Sequence, residues 1–576
     1  MPVPSSITTA SHKDLDLTLV AGEWPEDVTG EFVVSAPETR PGLPYALFGP
    51  GRICRLSLRP GTHGAAADRF AWRSRVVDSP SARLFEAAPE QFVAGPTGYN
   101  SPFGVPNQAN TAPLPWGDRL FTTWDVGRPV EVDPRSLGFL GEVGHRDSWG
   151  EQTLDMGGVL PFFLSSAHPV VDPDRDALWT VKLGLDLASG AQMLHVVYWP
   201  GDGTEVKVWP VEGGAVFGGS HTITQTANFL LLADSGNFKT DMGEMAGEPR
   251  TVTVDDDAAA YILRKEAILA TPPGTPLTPT VTRIAPTAGH FYGRWNDDDG
   301  ISVIFEHMDR MDLGYRIQSG DLDANGKPVD PDLVGFYNTA MAPSTCSEVV
   351  FDPDNGASKV EAVLRDDWTW NLQLSAMDWS SEALRAPTLH HIAYQGFRPG
   401  AVSKRAVDNY GDRLDPLPTE DTPGMLVSVH RGSLDVSSRY EYSDTTDHIT
   451  SPAFAPRDPA AASSQGDPAR SSYAGSSPGG HDGYVILPVL SDSGMRVDLF
   501  DASRVGDGPV ATLATPNAEC VPVVLHSAWM PSTDGPAKDR ERVSFADELA
   551  GHVETLPDEL AALARGVAEE LQESAG

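Results

Sequence analysis

The chain has 576 residues, with 80 acidic against 42 basic side chains and a formal net charge of −38. Such a charge repels nucleic acid and anionic membrane surfaces, so nucleic acid is excluded as a partner, and the plainest interpretation is a strongly solvated surface. A hydrophobic content of 40% supports a real core and excludes global disorder.

Short runs rich in β-branched and aromatic residues recur along the chain, separated by turn-forming clusters. The 55 glycines and 49 prolines fit many tight turns. The pattern indicates an all-β propeller, sandwich or barrel, and the length favours a propeller formed by a single domain over residues 1–540. The clearest runs are 119–126, 177–185, 193–200, 229–234, 301–308, 483–490 and 495–502.

Two stretches depart from the strand pattern. Residues 456–480 are dominated by Pro, Ser, Ala and Gly, which predicts a long surface loop of low complexity. Residues 544–574 form a predicted helical tail, with Leu560, Leu563 and Val567 at helical spacing and Pro557 marking a start. The tail is interpreted as a helix docked on the surface, and an oligomer contact stays open.

The cysteines and the N-terminus predict a cytoplasmic protein. Cys54, Cys346 and Cys520 are widely separated and odd in number, so a disulfide framework is not expected. The first residues lack the basic and apolar regions of a secretory signal, and no apolar run reaches the ~18 residues of a spanning helix.

Four histidines lie at the edges of strand-like runs: His168, His221, His290 and His526. Four neutral imidazoles without an adjacent cysteine suit a transition metal such as Fe(II), Cu or Zn. Because the four are far apart in sequence, only separate strands converging on one axis could bring them together. The alternative is that each is an ordinary hydrogen-bonded histidine, since the chain has 15.

The surroundings of these histidines resemble the carotenoid cleavage oxygenase family. Segments 22–37, 107–114, 129–144 and 481–490 also resemble the family, so the likeness covers roughly residues 20–530. The four matching motifs are Ala167-His168-Pro169, His221 with Thr226 and Asn228, His290 with the turn Asp297 to Gly300, and His526 with Trp529.

The resemblance implies a seven-bladed β-propeller with a helical or loop cap and one Fe(II) per chain held by the four histidines. It implies a dioxygenase that uses O2 to split a C=C bond of a lipophilic or aromatic conjugated alkene into two carbonyl products. The alkene is an apocarotenoid, a stilbene-like compound or another conjugated alkene, and weak membrane contact at the substrate entrance is compatible with this picture. The oligomeric state is left open.

Departures from the family pattern concern the residues that support the metal ligands. The family uses three glutamates for this purpose. Asp125 replaces the first, Ser451 replaces another, and the remaining one has no clear match in the sequence. By the same resemblance, Thr111 lies beside the metal and crowds an open coordination position. The equally good alternative is that Thr111 is an ordinary β-branched residue of a strand.

Several other residues compete for a role in the site. His307 is the nearest rival ligand, because it lies on the strand-like run after His290. Further rival ligands are His390, His391 and His448. Aromatic residues that line either a substrate tunnel or the core are Phe162, Phe163, Phe291, Tyr292 and Trp295. Candidate phenol-binding residues are Tyr99 and Arg128. A hydrolytic or a non-catalytic, ligand-binding propeller are the alternative functions.

Overall fold

Seven antiparallel sheets of four to six strands dominate the structure, a computed structural model. Each sheet is built mainly from consecutive strands, as in the blades of a propeller, and the protein is a seven-bladed β-propeller, as predicted. The structure describes residues 14–38, 49–58, 70–95, 98–235, 256–308, 316–336, 345–365, 372–376, 388–410, 416–457, 482–491, 493–518, 524–531 and 540–575.

The strands of the blades are numbered in chain order. Blade 1 contains β1 Leu15–Asp16, β3 Gly30–Pro37, β4 Gly51–Leu58, β5 Ala71–Val76 and β34 His526–Met530. Blade 2 contains β8 Ala112–Trp116, β9 Arg119–Thr123, β10 Val130–Val132 and β11 Phe139–Glu142. Blade 3 contains β12 Leu164–Ser165, β13 Val170–Asp172, β14 Ala177–Leu185, β15 Gln192–Trp199 and β16 Lys207–Val216. Blade 4 contains β17 Ile223–Gln225, β18 Phe229–Ala233, β19 Ala258–Arg264 and β20 Thr280–Ile284.

The remaining strands complete the ring. Blade 5 contains β21 Ala288–Gly293, β22 Ile301–His307, β23 Thr345–Phe351 and β24 Ser358–Arg365. Blade 6 contains β25 Gln373–Ser375, β26 Leu389–Tyr394, β27 Met425–His430 and β28 Val436–Glu441. Blade 7 contains β2 Thr18–Gly22, β29 His448–Ile449, β30 Ala453–Pro456, β31 Gly483–Ser491, β32 Gly494–Asp501 and β33 Ala511–Ala514. A separate hairpin joins β6 Val93–Gly95 and β7 Gly98–Asn100.

The two ends of the chain close the ring of blades. The last strand, β34, pairs with β3, and the early strand β2 pairs with β33. The first strands of neighbouring blades also contact one another, as β30 does with β34, β34 with β8, β13 with β17 and β17 with β21. These inner strands therefore surround a common axis, and the apolar clusters lie within and between the blades.

Helices lie outside the blades. They are α1 Pro80–Ala87, α2 Lys265–Ala270, α3 Lys404–Tyr410, α4 Phe545–Leu549 and α5 Asp558–Ala575. The predicted tail is thus two helices, and the longer one begins directly after Pro557. It packs on α1 through an apolar cluster that includes Leu84, Ala564 and Val567.

Two further observations bear on the sequence predictions. The low-complexity loop at 456–480 falls, after its first two residues, outside the described residues. Within the described ranges, no helix is long and apolar enough to cross a membrane.

Candidate metal centre

The four predicted histidines all lie at the inner strands of the propeller. His168 stands between β12 and β13 of blade 3, and His221 lies two residues before the start of β17 of blade 4. His290 lies within β21 of blade 5, and His526 begins β34 of blade 1. The convergence of separate strands on one axis, which their spacing required, is what the fold provides.

Hydrogen bonds between the blades fix the peptides that carry these histidines. The amide of His168 donates to the carbonyl of His221 at 3.1 Å, and the Ser166 hydroxyl donates to the same carbonyl at 2.8 Å. The Thr222 hydroxyl donates to the Gly289 carbonyl at 2.7 Å, which ties the peptide after His221 to the peptide before His290. The imidazoles are thus held by backbone that has little freedom to move.

The four imidazole rings face one another in a tight cluster. One ring nitrogen from each histidine lies within 4.8 Å of the corresponding nitrogens of the other three. The ring centroids of His168 and His526 are 4.5 Å apart, and the Nε2 atoms of His221 and His290 are 3.3 Å apart. Of the residues that the structure describes, only these four form such a metal-sized cluster.

Burial keeps three of these rings neutral. His168, His290 and His526 are buried, and burial lowers the pKa of each, His168 and His526 well below the ordinary value. The neighbouring histidines lower the pKa of His168 and His526 further. A neutral imidazole keeps a lone pair, which is the form that binds a metal.

His168 supplies an independent indication of a metal. Both of its ring nitrogens are buried and have no hydrogen-bond partner within the described part of the chain. An unpaired buried polar group costs about 1–3 kcal/mol, so such atoms are rare unless a ligand completes them. An imidazole-only set of donors fits iron, copper or zinc, and the residues present therefore fit the metal that the resemblance implies.

Carboxylates support two of the four rings. Nδ1 of His221 donates to Asp125, the residue named from the sequence, at 2.8 Å. Nδ1 of His290 donates to Glu306 at 3.1 Å. In both cases the carboxylate holds the proton on Nδ1, which leaves the Nε2 lone pair facing the cluster.

Glu306 is the supporting residue that the sequence did not reveal. It lies on β22, directly opposite His290 in the antiparallel ladder, so its partner comes from the same blade. The sequence motifs alone give no match for this glutamate. The available signal was a glutamate inside the apolar run 301–308, since a buried carboxylate in such a run needs a partner.

Ser451 and Thr111 have simpler surroundings. The Ser451 hydroxyl accepts a hydrogen bond from the amide of Ser527 at 3.2 Å, beside His526. Thr111 is buried, and its amide donates to the Thr123 carbonyl at 2.8 Å. The Thr123 hydroxyl in turn donates to the Ala167 carbonyl at 2.5 Å, so Thr111 is linked to the peptide that bears His168.

The rival histidines lie outside the cluster of four imidazoles. His307 is buried, and its Nδ1 donates to the Pro286 carbonyl at 2.8 Å while Nε2 accepts from Ser347 at 2.7 Å. His391 bonds to Ser428 at 2.7 Å, and His390 bonds to Ser375 at 2.6 Å. His448 lies in β29 of blade 7. None of these histidines belongs to the four-imidazole cluster.

Arg128 does not have the surroundings of a phenol-binding residue. Its guanidinium is buried and pairs with Glu142 and with Glu548 of the C-terminal helix α4. Tyr99 is packed in the apolar cluster between α1 and α5. Among the aromatic candidates, Phe163 and Phe291 belong to the apolar core, as the less specific interpretation expected.

The acidic turn after His290 has a structural role. The Asp297 carboxylate accepts hydrogen bonds from the Thr226 hydroxyl at 2.5 Å and from the Asn228 amide at 2.9 Å. Two of the motifs that carry the family resemblance are therefore in direct contact, and together they join blade 4 to blade 5.

Comparison with known proteins agrees with this geometry. A model of the retinal pigment epithelial membrane protein (RPE65) family matches residues 5–531. The match spans most of the chain and includes all four histidines of the cluster. The chain belongs to this family, which is the carotenoid cleavage oxygenase family identified from the four histidine motifs.

Two curated relatives match parts of the chain. The chloroplastic carotenoid cleavage dioxygenase 7 of Oryza sativa subsp. japonica is 29% identical over 137 residues, which are 22% of this chain and 22% of the relative. The apocarotenoid-15,15'-oxygenase of Synechocystis is 29% identical over 175 residues, which are 26% of this chain and 32% of the relative. The chain aligns with less than a third of either protein.

Solved structures share the whole fold. A variant of the Synechocystis apocarotenoid oxygenase has a TM-score of 0.59 at 15% identity and covers 92% of this chain and 98% of that one. The lignostilbene dioxygenase of Pseudomonas brassicacearum has a TM-score of 0.57 at 16% identity, with coverages of 92% and 99%. At these identities the likeness establishes the fold.

Proposed function

We propose that the protein is a non-haem Fe(II)-dependent dioxygenase that cleaves a C=C bond of a conjugated alkene with O2. The observation that carries this proposal is the cluster of four inward imidazoles, in which His168 leaves both ring nitrogens without a protein partner in the described part of the chain. We assign His168, His221, His290 and His526 as the ligands of one iron per chain. The family membership supports iron over copper or zinc.

The protein's part in the reaction is to prepare the ligands and the space around them. Asp125 and Glu306 hold the Nδ1 protons of His221 and His290, which directs both Nε2 lone pairs inward. The interblade hydrogen bonds keep these rings in place without rearrangement, which favours a fixed geometry during reaction. We assign Asp125 as a supporting residue on this basis.

When bound, the iron supplies activation of O2, so that the alkene is split into two carbonyl products. An ion held by the four histidines would keep coordination positions free for O2 or substrate. We propose that Thr111, which is buried and linked to the His168 peptide through Thr123, borders one of these positions. Its role is to restrict which ligand fits there.

An apocarotenoid or a stilbene-like compound is the substrate class that we propose. The names of the relatives support it, since two denote carotenoid-type substrates and one denotes a lignostilbene. We also propose a cytoplasmic location. The thiols of Cys54 and Cys346 are free and buried, which is consistent with a reducing compartment.

Metal analysis tests the proposal first. Protein purified without oxygen should contain about one iron per chain, as the four-ligand assignment requires. His221→Ala should lose that iron, whereas His307→Gln, which changes a buried histidine outside the cluster, should retain it. Iron in the wild type should then support O2 consumption with a stilbene or an apocarotenal.

The outcomes distinguish the alternatives. Folded wild-type protein that takes up no Fe(II) would exclude the dioxygenase. Iron loss in His307→Gln with retention in His221→Ala would show that the ligand set is wrong. Retained iron without turnover of any conjugated alkene would favour a ligand-binding propeller.

A further inference from the structure

A buried hydrogen-bond network extends from His290 into the neighbouring blade. Glu306 accepts from His290 Nδ1 through Oε2 at 3.1 Å, and it accepts from the Ser375 hydroxyl through Oε1. The same Ser375 oxygen lies 2.6 Å from Nε2 of His390. We call Glu306, Ser375 and His390 the Glu306 network; all three are buried.

The number of protons available in the network determines which group donates in each hydrogen bond. A carboxylate only accepts, so the single hydroxyl proton of Ser375 is donated to Glu306. Ser375 then has only lone pairs to offer His390, and Nε2 of His390 must carry a proton and donate. Burial lowers the pKa of His390 well below its ordinary value, and nearby Arg431 lowers it further, so the ring is neutral with one proton to place.

The network supports one of the four proposed metal ligands, His290. Glu306 stands on β22 opposite His290, Ser375 ends β25, and His390 lies on β26 of the next blade. A third donor, the Tyr292 hydroxyl, is more distant from Glu306 at 3.5 Å. The Asp125–His221 pair is different, because the Asp125 side chain is 27% exposed and water can take part in holding it.

The same contacts argue against a hydrolytic site. A serine nucleophile needs a histidine base that is itself oriented by an acid. Here Ser375 stands in the middle, between the acid and the histidine, and it donates its proton to the acid. The network is arranged to hold Glu306.

We propose that Ser375 and His390 are positioning residues, which fix the Glu306 carboxylate and through it the orientation of His290 as a metal ligand. This inference rests on the proposed metal site. Outer-shell partners of ligands typically change metal affinity by about 10–100-fold. Ser375 is one hydrogen bond further from the metal than Glu306 is. We therefore expect its removal to weaken metal binding by about tenfold at most.

Cobalt(II) titration without oxygen tests the inference without relying on turnover. The variants are Ser375→Ala, Ser375→Thr, which keeps the hydroxyl, and His390→Gln. Ser428→Ala is the matched control, because Ser428 also bonds to a buried histidine of β26, His391, at 2.7 Å. Thermal unfolding of each metal-free variant checks that it folds.

The expected results separate the network from the metal site. Ser375→Ala and His390→Gln should bind cobalt more weakly than wild type and shift its visible absorption bands. Ser375→Thr should restore both properties, and Ser428→Ala should match wild type. If wild type binds cobalt but Ser375→Ala and His390→Gln are indistinguishable from Ser428→Ala, the network inference is wrong while the metal site stands. If wild type binds no metal, the proposed function fails, and the inference with it.

Discussion

Two buried polar clusters in this protein are built on opposite principles. At the axis, four imidazoles converge and His168 leaves both nitrogens without a hydrogen-bond partner among the described residues. Beside the C-terminal helices, Arg128 is bound by Glu142 and Glu548, and it donates to the Gly144 carbonyl at 2.6 Å. We call the four histidines the axial cluster, and Arg128, Glu142 and Glu548 the tail cluster. In the axial cluster one whole ring, His168, is unpaired, whereas in the tail cluster the cation is paired with two carboxylates and Nε of Arg128 alone among its side-chain nitrogens has no partner within the described residues.

The difference separates a binding site from a structural contact. A ring whose two nitrogens are both buried and unpaired costs stability and is expected to be completed by a ligand, whereas buried charges are tolerated when they are paired and hydrogen-bonded. The backbone amide of Arg146 also donates to Glu548 at 2.8 Å, so this carboxylate is held both by the Arg128 guanidinium and by the backbone. We therefore expect metal to stabilise the axial cluster and to have no direct effect on the tail cluster.

The largest effect is expected on metal-dependent stability. Wild type should gain about 4.1 kcal/mol in free energy of unfolding when free metal is ~1,000 times Kd, because metal binds only the folded state. His168→Leu should show no such gain, and its metal-free form should be at least as stable as metal-free wild type, since it removes two unpaired nitrogens. Urea unfolding with and without Fe(II) or Co(II) measures both. Equal stabilisation of the variant would show that His168 is not a ligand.

Breaking the tail cluster should lower stability regardless of metal. Glu548→Ala leaves Arg128 paired with Glu142 but removes the acceptor of buried N–H groups of Arg128 and of the Arg146 amide, and such losses typically cost about 1–3 kcal/mol. Glu570→Gln is the control, because Glu570 pairs with Arg83 at the surface with its side chain 66% exposed, and surface pairs contribute less than about 1 kcal/mol. Metal content should be retained in both variants. A loss of iron on Glu548→Ala would mean that the two clusters are coupled.

The sequence predicted the parts of this molecule that are local. Strand β14 spans Ala177–Leu185, the same residues as the predicted run, because β-branched and apolar residues dominate it. The four histidines were found because each has a recognisable neighbourhood. The start of α5 followed from Pro557, which cannot continue a preceding turn.

Contacts between distant strands were not predictable in the same way. Glu306 is opposite His290 only because of a ladder register that shifts by one residue between Ala288 and His290. Glu548 reaches Arg128 across more than 400 residues, and a periodic helical pattern does not say where the helix docks. Such pairings depend on strand register and on helix packing. Sequence patterns therefore predicted the strands and helices, but not that Glu306 pairs with His290 or Glu548 with Arg128.

Acid should lower the stability of the protein through His307, a buried histidine outside both clusters. Burial lowers the pKa of His307 from 6.5 to about 4, so the unfolded chain takes up a proton before the folded one does. Stability contributed by this group is therefore lost as pH falls from about 6.5 towards 4, by up to ~3 kcal/mol. Urea unfolding of metal-free protein at several pH values should show a smaller loss for His307→Gln than for wild type. His430→Gln, which removes an exposed histidine, controls for the lost ring, and identical slopes in all three proteins would contradict the assignment.

The smallest effect should distinguish the two supporting carboxylates within the axial cluster. Asp125→Asn and Glu306→Gln both keep an oxygen that accepts from Nδ1, but of the two only Asp125 is partly open to water, which can supply hydrogen bonds that partly compensate for the weaker acceptor. We expect Asp125→Asn to weaken metal binding about tenfold and Glu306→Gln by more, within the roughly 10–100-fold range of outer-shell partners. Competition for Co(II) against a chelator of known affinity measures the ratio. A larger loss for Asp125→Asn would show that charge at the open side of the cluster matters more than the enclosed hydrogen bonds around Glu306.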